Sequence, residues 1–549
     1  MDHAPAPGAA LLYSAPPSGV PLFGLSVAVD ALHGAYLRHA RQPRLVCHGR
    51  DEADFAAFRA RATAEGADAA RLAFVPRAAP AGLAASGALL VPDPAIADAV
   101  RARDAVDPRG WSVVGLTHSM TGPAVVQAVA AARAGQPWDA IVCPSRAIRA
   151  AIAALWAGLG AAPCPVRLPV IPLGVAAERF AAAAAPSLRA AQRARLGIPE
   201  DGVAVLFHGR LSHWGKAHPL PLLLAAERAA SEQGAPPVHL VFSGYFPSPG
   251  EDRAFRGLAA DICTAVRVHV VDNGDPDFPR GCWAAADVFA SPVDNVQESF
   301  GLTPVEAMAA GLPVLASDWD GYRDTVRHGR EGLLVPTVTP PPGDGADLAA
   351  RLAAGEDAYG EHLAAVAQSV AVDVEAMAAH LALLVRDAGL RRRLGEAGRQ
   401  RVAEFYDWPR VIAAYEALFT ELAGIRATAP LSPAGTPQPA PYPDPYAMFA
   451  AFPSRALAAA DRLHAAPDAV AGLAKLLRHP VCMAAPWALL PPATLAPLIG
   501  RIATAPGLSV AALADGIAID PAGPQGTALR RTLAWLAKLG ALRIAQGYL

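Results

Sequence analysis

The sequence predicts an α/β protein with two doubly wound parallel sheets, followed by a small, mainly helical module. Three observations support this prediction. Short apolar runs that end in turn residues alternate with helical stretches over about residues 20–175, and a second alternating series continues to about residue 424. A proline-rich segment then precedes a final stretch with a helical pattern. Alternation of strands and helices is typical of parallel sheets that are covered by helices.

The strand-like runs of both series are short and apolar. In the first series they are RLVCHG, GALLVPD, SVVGLTH and AIVCPS, with helical stretches such as EADFAAFRARATAEG and SRAIRAAIAALWAGL between them. In the second series they are VAVLFHG, VHLVFSG, VRVHVVD, DVFASPV, LPVLASD and EGLLVPT. Runs of this kind, bounded by glycine, proline and small polar residues, indicate the buried strands of a parallel sheet.

The end of the chain has a different composition. Residues 425–446 contain seven prolines, which predicts an extended, semi-rigid linker. Beyond it, ATLAPLIGRIAT, SVAALADGIA and GTALRRTLAWLAKLGAL read as three helices, and LRIA reads as a short strand. This order predicts a winged-helix or helix-turn-helix module with little or no wing.

Composition limits the classes of function. The chain has 549 residues, 53% of them hydrophobic, and a formal net charge of -2, which argues against a generally basic, nucleic-acid-coating surface. Its six cysteines have no metal-ligand spacing and indicate reduced thiols in a cytoplasmic protein. We see no signal peptide, and the apolar stretches at 150–166 and 483–500 are interrupted by glycine or proline. Peripheral contact with the inner face of a membrane stays open.

The most informative segment is residues 298–335, ESFGLTPVEAMAAGLPVLASDWDGYRDTVRHGREGLLV. It places two glutamates eight positions apart, after an apolar run that reads as a buried strand. Thr303 is the predicted helix N-cap and Pro304 the first helical residue, so that the second glutamate is the third. The backbone N–H groups that then point out of the helix N-terminus suit an anion such as a diphosphate. These are the N–H groups of Phe300, Gly301 and Leu302.

This segment resembles the donor-site motif of retaining glycosyltransferases with the GT-B fold, specifically glycosyltransferase family 4, the glycosyl transferases group 1. In that motif Phe-Gly follows the first glutamate and E-A-M-A-x-G-x-P contains the second, and every one of these positions matches here. The resemblance covers about residues 20–424. It implies a Rossmann-like acceptor domain, a Rossmann-like nucleotide-sugar donor domain and terminal helices that return to the first domain. The boundaries that we expect are 1–174, 175–395 and 396–424 for these parts, 425–454 for the linker and 455–549 for the helical module.

The resemblance implies roles for four charged residues. Glu298 would contact hydroxyls of the donor sugar and Glu306 the ribose hydroxyls, because a carboxylate accepts two hydroxyl hydrogen bonds at once. Taken alone, Thr303-Pro-Val-Glu306 also reads as a capping box. Arg210 and Lys216 would hold the diphosphate, whose negative charge grows as the glycosidic bond breaks. The sequence that follows, Lys-Ala-His-Pro, departs from the family pattern.

The remaining candidates come from loops. His118 ends a strand-like run where the resemblance implies a histidine that contacts the donor sugar, although it also reads as an ordinary loop histidine. Gly19 and Gly24 bracket the first loop, which would approach the donor phosphates. Gly174 resembles the hinge glycine.

Two further loops contain paired polar residues. Asp294 and Asn295 are expected to shape the loop before the first glutamate. Asp318 and Asp320 flank Trp319, where family members often have small residues, and this loop is a candidate to touch the sugar or the acceptor.

The predicted function is therefore a retaining, metal-independent transferase that uses a nucleoside-diphosphate sugar as co-substrate, with no further cofactor. The acceptor is an unidentified glycan, lipid or protein. A phosphorylase or an epimerase on the same fold, and a catalytically silent sugar-nucleotide sensor, are the alternatives. For residues 455–549 we favour a protein partner, self-association or acceptor holding over nucleic acid. From 461 to 549 eight arginines and lysines face only four aspartates, with Arg530, Arg531 and Lys538 on the last predicted helix.

Overall fold

A computed structural model forms two compact units, Met1–Ala176 with Ala403–Pro441, and Ala177–Val402 with Tyr442–Leu549. Gly19 and Gly24 lie outside the residues that the structure describes. The described residues are 8–15, 25–160, 164–181, 185–272, 278–433 and 439–547.

Residues 1–176 contain the strands and helices of the first sheet. The strands are β1 (Gly8–Leu12), β2 (Leu45–Gly49), β3 (Leu72–Pro76), β4 (Gly87–Val91), β5 (Ser112–Leu116) and β6 (Ala140–Val142). The helices are α1 (Leu25–His39), α2 (Glu52–Ala64), α3 (Ala97–Asp104), α4 (Pro123–Ala131) and α5 (Arg146–Gly158). The six strands are parallel and follow the order β3-β2-β1-β4-β5-β6, which is the order of a Rossmann-like sheet.

The sequence prediction missed the central strand of this sheet. Strand β1 is the run GAALL at Gly8–Leu12, and it pairs with both β2 and β4. Prolines and glycines surround this run on both sides, so that five apolar residues did not stand out as a strand. Strand β3 was also missed.

Residues 177–402 contain the second sheet. Its strands are β7 (Val203–His208), β8 (Val238–Gly244), β9 (Arg267–Asp272), β10 (Val288–Ser291), β11 (Val314–Ser317) and β12 (Gly332–Val335), and the short strands β13 (Thr337–Thr339) and β14 (Ala371–Val372) follow. The helices are α6 (Ala177–Ala181), α7 (Pro186–Leu196), α8 (Leu220–Ala230), α9 (Pro249–Ile262), α10 (Phe278–Ala285), α11 (Leu302–Ala310), α12 (Tyr322–Thr325), α13 (Ala346–Ala354), α14 (Tyr359–Gln368), α15 (Val374–Arg386) and α16 (Ala388–Arg401). All six predicted strands of this series are present, parallel, and again in Rossmann order, β12-β11-β10-β7-β8-β9.

One long helix returns to the first unit. Helix α17 (Trp408–Thr428) buries Trp408 and Phe419 in the cluster that contains Leu11, Tyr36 and Phe58. The first sheet and α17 therefore share one hydrophobic core.

The last part of the chain, residues 442–547, is called the C-terminal segment below and belongs to the second unit. Its helices are α18 (Pro445–Met448), α19 (Ala469–Leu476), α20 (Pro492–Thr504), α21 (Val510–Gly516) and α22 (Pro524–Lys538). Its strands are β15 (Arg455–Ala456), β16 (Arg462–Ala465), β17 (Leu508–Ser509) and β18 (Leu542–Ala545). The three predicted helices and the final strand correspond to α20, α21, α22 and β18. Their order is that of a winged helix, with β16 placed between β17 and β18 in one antiparallel sheet.

The linker predicted over residues 425–454 differs from the structure at both ends. Helix α17 continues to Thr428, and the chain is already packed on the second unit from residue 442 onward. The Tyr446 hydroxyl donates to the Val366 carbonyl oxygen at 3.2 Å, and Phe452 is fully buried. Strand β15 adds a parallel strand to β13. Aromatic residues between the prolines supply the apolar surface that holds this stretch in place.

Two short helical segments have a bearing on membrane contact. Within the described residues no single helix is long and apolar enough to cross a bilayer, although Pro480–Ala488 and Pro492–Thr504, bent by 102°, reach that length and composition together.

Close packing against Trp408 explains why residue 174 is a glycine. A Cβ atom at this position would lie 2.4 Å from the Trp408 ring, and Val175 exchanges backbone hydrogen bonds with the chain around Asp407. The absence of a side chain therefore lets the two segments approach closely. The hinge role stays a prediction.

We expect Gly174→Ala to lower the free energy of unfolding by about 1–3 kcal/mol, because the added methyl group overpacks against Trp408. Gly424→Ala in α17 is the matched control, since nothing lies within 4 Å of its added methyl group. It should raise stability by up to about 1 kcal/mol through helix propensity. Differential scanning calorimetry measures both changes, and two shifts of the same sign would contradict the packing argument.

Candidate functional site

The candidate site lies at the carboxyl edge of the second sheet. Strand β7 ends at His208 and continues into residues 209–219, which we call the cation loop. Strand β10 ends at Ser291 and continues into residues 292–301, the carboxylate loop, which leads into α11. Because β7 and β10 are parallel neighbours, both loops leave the sheet at the same edge, where ligands of open α/β sheets bind.

The central contact of the site joins these two loops. The Lys216 ammonium donates to Glu298 Oε2 at 2.5 Å, and both side chains are largely buried. Glu298 Oε1 accepts backbone N–H groups of Ser299 at 3.2 Å, Phe300 at 3.5 Å and Gly301 at 3.1 Å. Two of the three amides predicted to receive an anion, those of Phe300 and Gly301, therefore bind one in this structure, but it is the carboxylate of the chain itself. The role of the Leu302 amide stays a prediction.

Charge in this contact is stabilised on both sides. Burial raises the pKa of Glu298, but the Lys216 ammonium and the backbone amides outweigh burial and hold it below its usual value. Burial likewise lowers the pKa of Lys216, and the Glu298 carboxylate more than offsets this effect, so that the pKa is raised. Both groups are therefore ionised at neutral pH.

The start of α11 corrects the sequence prediction. The helix begins at Leu302 with Gly301 as its N-cap, and no side chain caps it, so Thr303 is not the N-cap and the predicted capping box is absent. Gly301 has a φ of 92°, and a Cβ atom there would lie 2.3 Å from the Tyr322 ring. Only glycine fits this position, which fixes the helix start two residues earlier than predicted.

Glu306 consequently has no structural task in the cap. Its half-buried carboxylate makes no hydrogen bond or ion pair with the part of the chain that the structure describes. Burial raises the pKa of Glu306 to about 7, although the nearby Lys216 charge opposes this. The two glutamates of the motif thus differ: Glu298 is ionised and engaged, whereas Glu306 is close to its titration point and available to a ligand.

Arg210 provides a second cation in the cation loop. Its guanidinium donates to the Gly215 carbonyl oxygen and to Gln297 Oε1, both at 2.7 Å, and lies 5.9 Å from the centre of the Trp214 ring. Its charge opposes protonation of Lys216, which places the two cations near each other. Gln297, which the sequence analysis did not single out, also donates to the Tyr359 hydroxyl at 3.1 Å.

The carboxylate loop is shaped as expected by Asp294 and Asn295. The Asp294 carboxylate accepts the His218 backbone N–H at 3.2 Å. The Asn295 side chain donates to the Lys216 carbonyl oxygen and accepts the Gln297 backbone N–H at 2.8 Å. These bonds tie the carboxylate loop to the backbone of the cation loop.

His208, at the end of β7, is a further site residue that sequence reasoning missed. Burial and the Lys216 charge lower its pKa to about 4, and its Nδ1 atom lies 3.2 Å from the Ser243 hydroxyl. The signal was present in its position at a strand end, but a single histidine there is common.

His118 lies in the first unit, two residues after β5. Its Nε2–H donates to the Pro92 carbonyl oxygen at 3.1 Å, and burial lowers its pKa, so the neutral imidazole presents Nδ1 as an acceptor. Its contact with a donor sugar stays a prediction.

The loop around Trp319 contacts the C-terminal segment. The Trp319 ring is buried, donates through Nε1 to the Asn295 carbonyl oxygen at 2.9 Å and meets the Phe452 ring edge-on at 5.7 Å. Asp320 donates its backbone N–H to the Phe452 carbonyl oxygen, and Asp318 accepts the Ser454 hydroxyl at 2.6 Å. This loop thus has a packing role, and its contact with the sugar or the acceptor stays a prediction.

The basic residues of α22 also face the second unit. Arg530 pairs with Asp344, and Arg531, which is buried, pairs with Asp347. Lys538 is buried as well, pairs with Asp294 and donates to the Ala367 carbonyl oxygen. The three basic residues of α22 are thus engaged within the chain, and the partner of residues 455–549 stays a prediction.

The site coincides with a known family region. Residues 189–353 match the family model described as Glycosyl transferases group 1. The D-inositol 3-phosphate glycosyltransferase of Geodermatophilus obscurus is 33% identical over 266 residues, which are 47% of this chain and 49% of that protein. The phosphatidyl-myo-inositol mannosyltransferase of Mycobacterium tuberculosis is 38% identical over 182 residues, 33% of this chain and 42% of that protein. The chain spans about half or less of the length of these curated relatives.

A solved structure supports the fold class. The glycosyltransferase from Rickettsia africae has a TM-score of 0.51, covering 76% of this chain and 98% of that chain at 12% identity. The fold is GT-B. At this identity the likeness concerns the fold alone, and it agrees with the two Rossmann-like sheets of the GT-B prediction.

A pH-dependent stability follows from Glu306. Its carboxyl group is neutral below a pKa of about 7 in the folded protein and titrates near its ordinary, lower value when unfolded. Its contribution to stability is therefore fully present at pH 4, below its ordinary value, and is lost as the pH rises through 7. Glu306→Gln should match the wild type in melting temperature at pH 4 and exceed it at pH 8. The exposed Glu200→Gln is the control and should show no such divergence, and parallel pH profiles for all three proteins would refute the assignment.

Proposed function

We propose that this protein is a retaining, metal-independent glycosyltransferase that moves a sugar from a nucleoside-diphosphate sugar to an acceptor hydroxyl. The observation that carries the proposal is the Lys216–Glu298 pair on the α11 N-terminus, with the unengaged Glu306 carboxylate beside it. A diphosphate requires fixed cations, and sugar and ribose hydroxyls require carboxylate acceptors. The family match of residues 189–353 supports the same activity.

The ligand-free geometry suggests how the donor enters. Lys216 and Glu298 neutralise each other in the absence of ligand, so a diphosphate can take over Lys216 and Arg210 while Glu298 Oε2 turns to the sugar hydroxyls. Glu298 Oε1 keeps its backbone amides. Glu306 accepts the two ribose hydroxyls, for which its ionised form is the better acceptor.

Transfer then needs one bond to break and one to form on the same face of the sugar. The bond between the anomeric carbon and the phosphate oxygen breaks, and its electron pair stays on the diphosphate. Lys216 and Arg210 stabilise this growing charge more in the transition state than in the ground state. The acceptor oxygen bonds to the anomeric carbon and passes its proton to the departing phosphate. Glu298 and Glu306 hold the donor and do not attack it.

Metal independence is part of the proposal. The two cations and the α11 N-terminus would carry the charge that a divalent ion carries in other transferases. EDTA should therefore leave the reaction unchanged.

For the acceptor and for the location in the cell we propose classes and not a single compound or site. The two relatives are named for D-inositol 3-phosphate and phosphatidyl-myo-inositol, so an inositol phosphate and an inositol phospholipid are the first acceptors to test. We place the reaction in the cytoplasm, and a lipid acceptor would bring it to the inner face of the membrane.

A catalytically silent sensor of sugar nucleotides is the second candidate. The observation that favours it is the contact between the C-terminal segment and both loops of the site. Through this contact, binding of a nucleotide would affect the C-terminal segment. The sensor differs from the enzyme in one respect: it binds the nucleotide sugar and releases it unchanged.

The first experiment is a panel of UDP-, GDP-, ADP- and dTDP-sugars, with and without EDTA. Thermal stabilisation identifies the donor, and release of nucleoside diphosphate with each inositol acceptor measures transfer. One stabilising donor that is consumed supports the transferase. Stabilisation without consumption supports the sensor, and no stabilisation by any donor rejects both.

We expect Lys216→Ala and Glu298→Gln each to lower turnover by about 10²–10³-fold, because each removes a charge that meets the donor at the reacting bond. Arg253→Ala, an exposed arginine of α9 in the same unit, removes equal charge from the surface and should leave turnover unchanged. Initial rates at saturating donor are the measurement. Near-normal turnover in either site variant would remove that residue from the reaction.

A further inference from the structure

The C-terminal segment reaches the site through one buried ion pair. The Lys538 ammonium, at the end of α22, lies 2.7 Å from Asp294 Oδ2 and donates to the Ala367 carbonyl oxygen at 2.6 Å. Lys538 is 2% exposed and Asp294 is completely buried. A charge from the last helix of the chain therefore meets a charge in the carboxylate loop, away from water.

Such a pair is better suited to fixing geometry than to adding stability. Removing two charges from water costs free energy that their attraction only partly returns, and apolar residues of the same volume serve a core equally well. Burial raises the pKa of Asp294, and Lys538 opposes this shift. The carboxylate thus depends on Lys538 for its charge.

Asp294 connects the ion pair with Lys538 to the cation loop. Its carboxylate accepts the His218 backbone N–H, and the next residue, Asn295, binds the Lys216 carbonyl oxygen. The His218 ring donates through Nε2 to the Val481 carbonyl oxygen of the C-terminal segment at 2.9 Å. Residues 216–218 are therefore held by two bonds to their backbone, from Asp294 and Asn295, and by one bond from the His218 ring to Val481.

The chain contains only three lysines, and two of them, Lys216 and Lys538, lie on the two sides of this connection. The C-terminal segment also contacts His218 of the cation loop, and it contacts Trp319, which lies outside both loops and donates to the Asn295 carbonyl oxygen. Both residues lie in stretches that depart from the family pattern.

We propose that Lys538 is a positioning residue of the donor site, which acts through Asp294 to fix the cation loop and the Lys216–Glu298 pair. The C-terminal segment is then part of the donor-binding machinery and not an independent module. This inference rests on the proposed function for the identity of the ligand, but the fixed loop can be measured without one.

The test uses the full chain with Lys538→Met. Arg531→Met is the matched control, because Arg531 is equally buried in α22 and pairs with Asp347, outside the two loops. Hydrogen exchange of the amides at 212–218 and 294–301 is the first readout. We expect protection there to fall about tenfold in Lys538→Met and to stay at the wild-type level in Arg531→Met.

The second readout is binding of UDP, GDP and ADP by calorimetry. The nucleotide that binds the wild type most tightly should bind Lys538→Met about tenfold more weakly, with no change for Arg531→Met. Asp294→Asn keeps an acceptor for the His218 N–H and removes the buried charge. In the Asp294→Asn background, Lys538→Met should have no further effect on hydrogen exchange or nucleotide binding. If Lys538→Met alone does not fold, the comparison of Asp294→Asn with the double variant tests the same proposal.

The outcomes separate the two proposals. Unchanged loop protection in Lys538→Met, or an equal loss in Arg531→Met, overturns the positioning role. Altered loop protection in a protein that binds none of the three nucleotides rejects the donor site while the fixed loop stands. An effect of Lys538→Met that persists in the Asp294→Asn background would show that Lys538 does not act through Asp294.

Discussion

The candidate site depends on the ion pair between Lys216 and Glu298. Each charge makes the burial of the other tolerable, and the α11 amides stabilise the carboxylate further. The site can therefore hold the ionised Lys216 and Glu298 in a ligand-free protein without leaving either unpaired. Glu306 has no such partner, and burial raises its pKa to about 7. In the proposed function, a donor with negative phosphates and several hydroxyl groups would exchange partners with this arrangement without creating an uncompensated charge.

The positions of Lys216 and Glu298 depend on the positions of the two loops that contain them. Lys216 belongs to a loop whose backbone is bound by Asn295 and, two residues later, by Asp294. Those residues are in turn held by Trp319 and Lys538, and Phe452 packs on Trp319. The order of dependence thus runs from the C-terminal segment through the loops to the charges. Packing and chemistry in this unit cannot be assigned to separate parts of the chain.

The sequence predicted features that depend on local patterns. Alternating apolar runs predicted all of the second sheet, and the spacing of the glutamates predicted which two carboxylates share the α11 start. The sequence prediction failed where contacts between residues that are far apart in the sequence determine the structure. The N-cap is Gly301 because Tyr322, 21 residues later in the chain, leaves no room for a side chain. The packing of 442–454 depends on aromatic contacts with Val366 and Trp319, which the proline content of that stretch concealed.

The C-terminal segment also shows why an order of elements does not define a function. A helix that reads DNA must present its basic residues to solvent and place them in a groove. In α22 the guanidinium of Arg530 is bound to Asp344, that of Arg531 to Asp347, and Lys538 to Asp294. Exposing them would leave three acidic residues of the second unit without their cationic partners, and two of these residues, Asp344 and Asp294, are buried. The winged-helix order here serves to hold α22 against the second unit, and the three basic residues of α22 are paired within the chain.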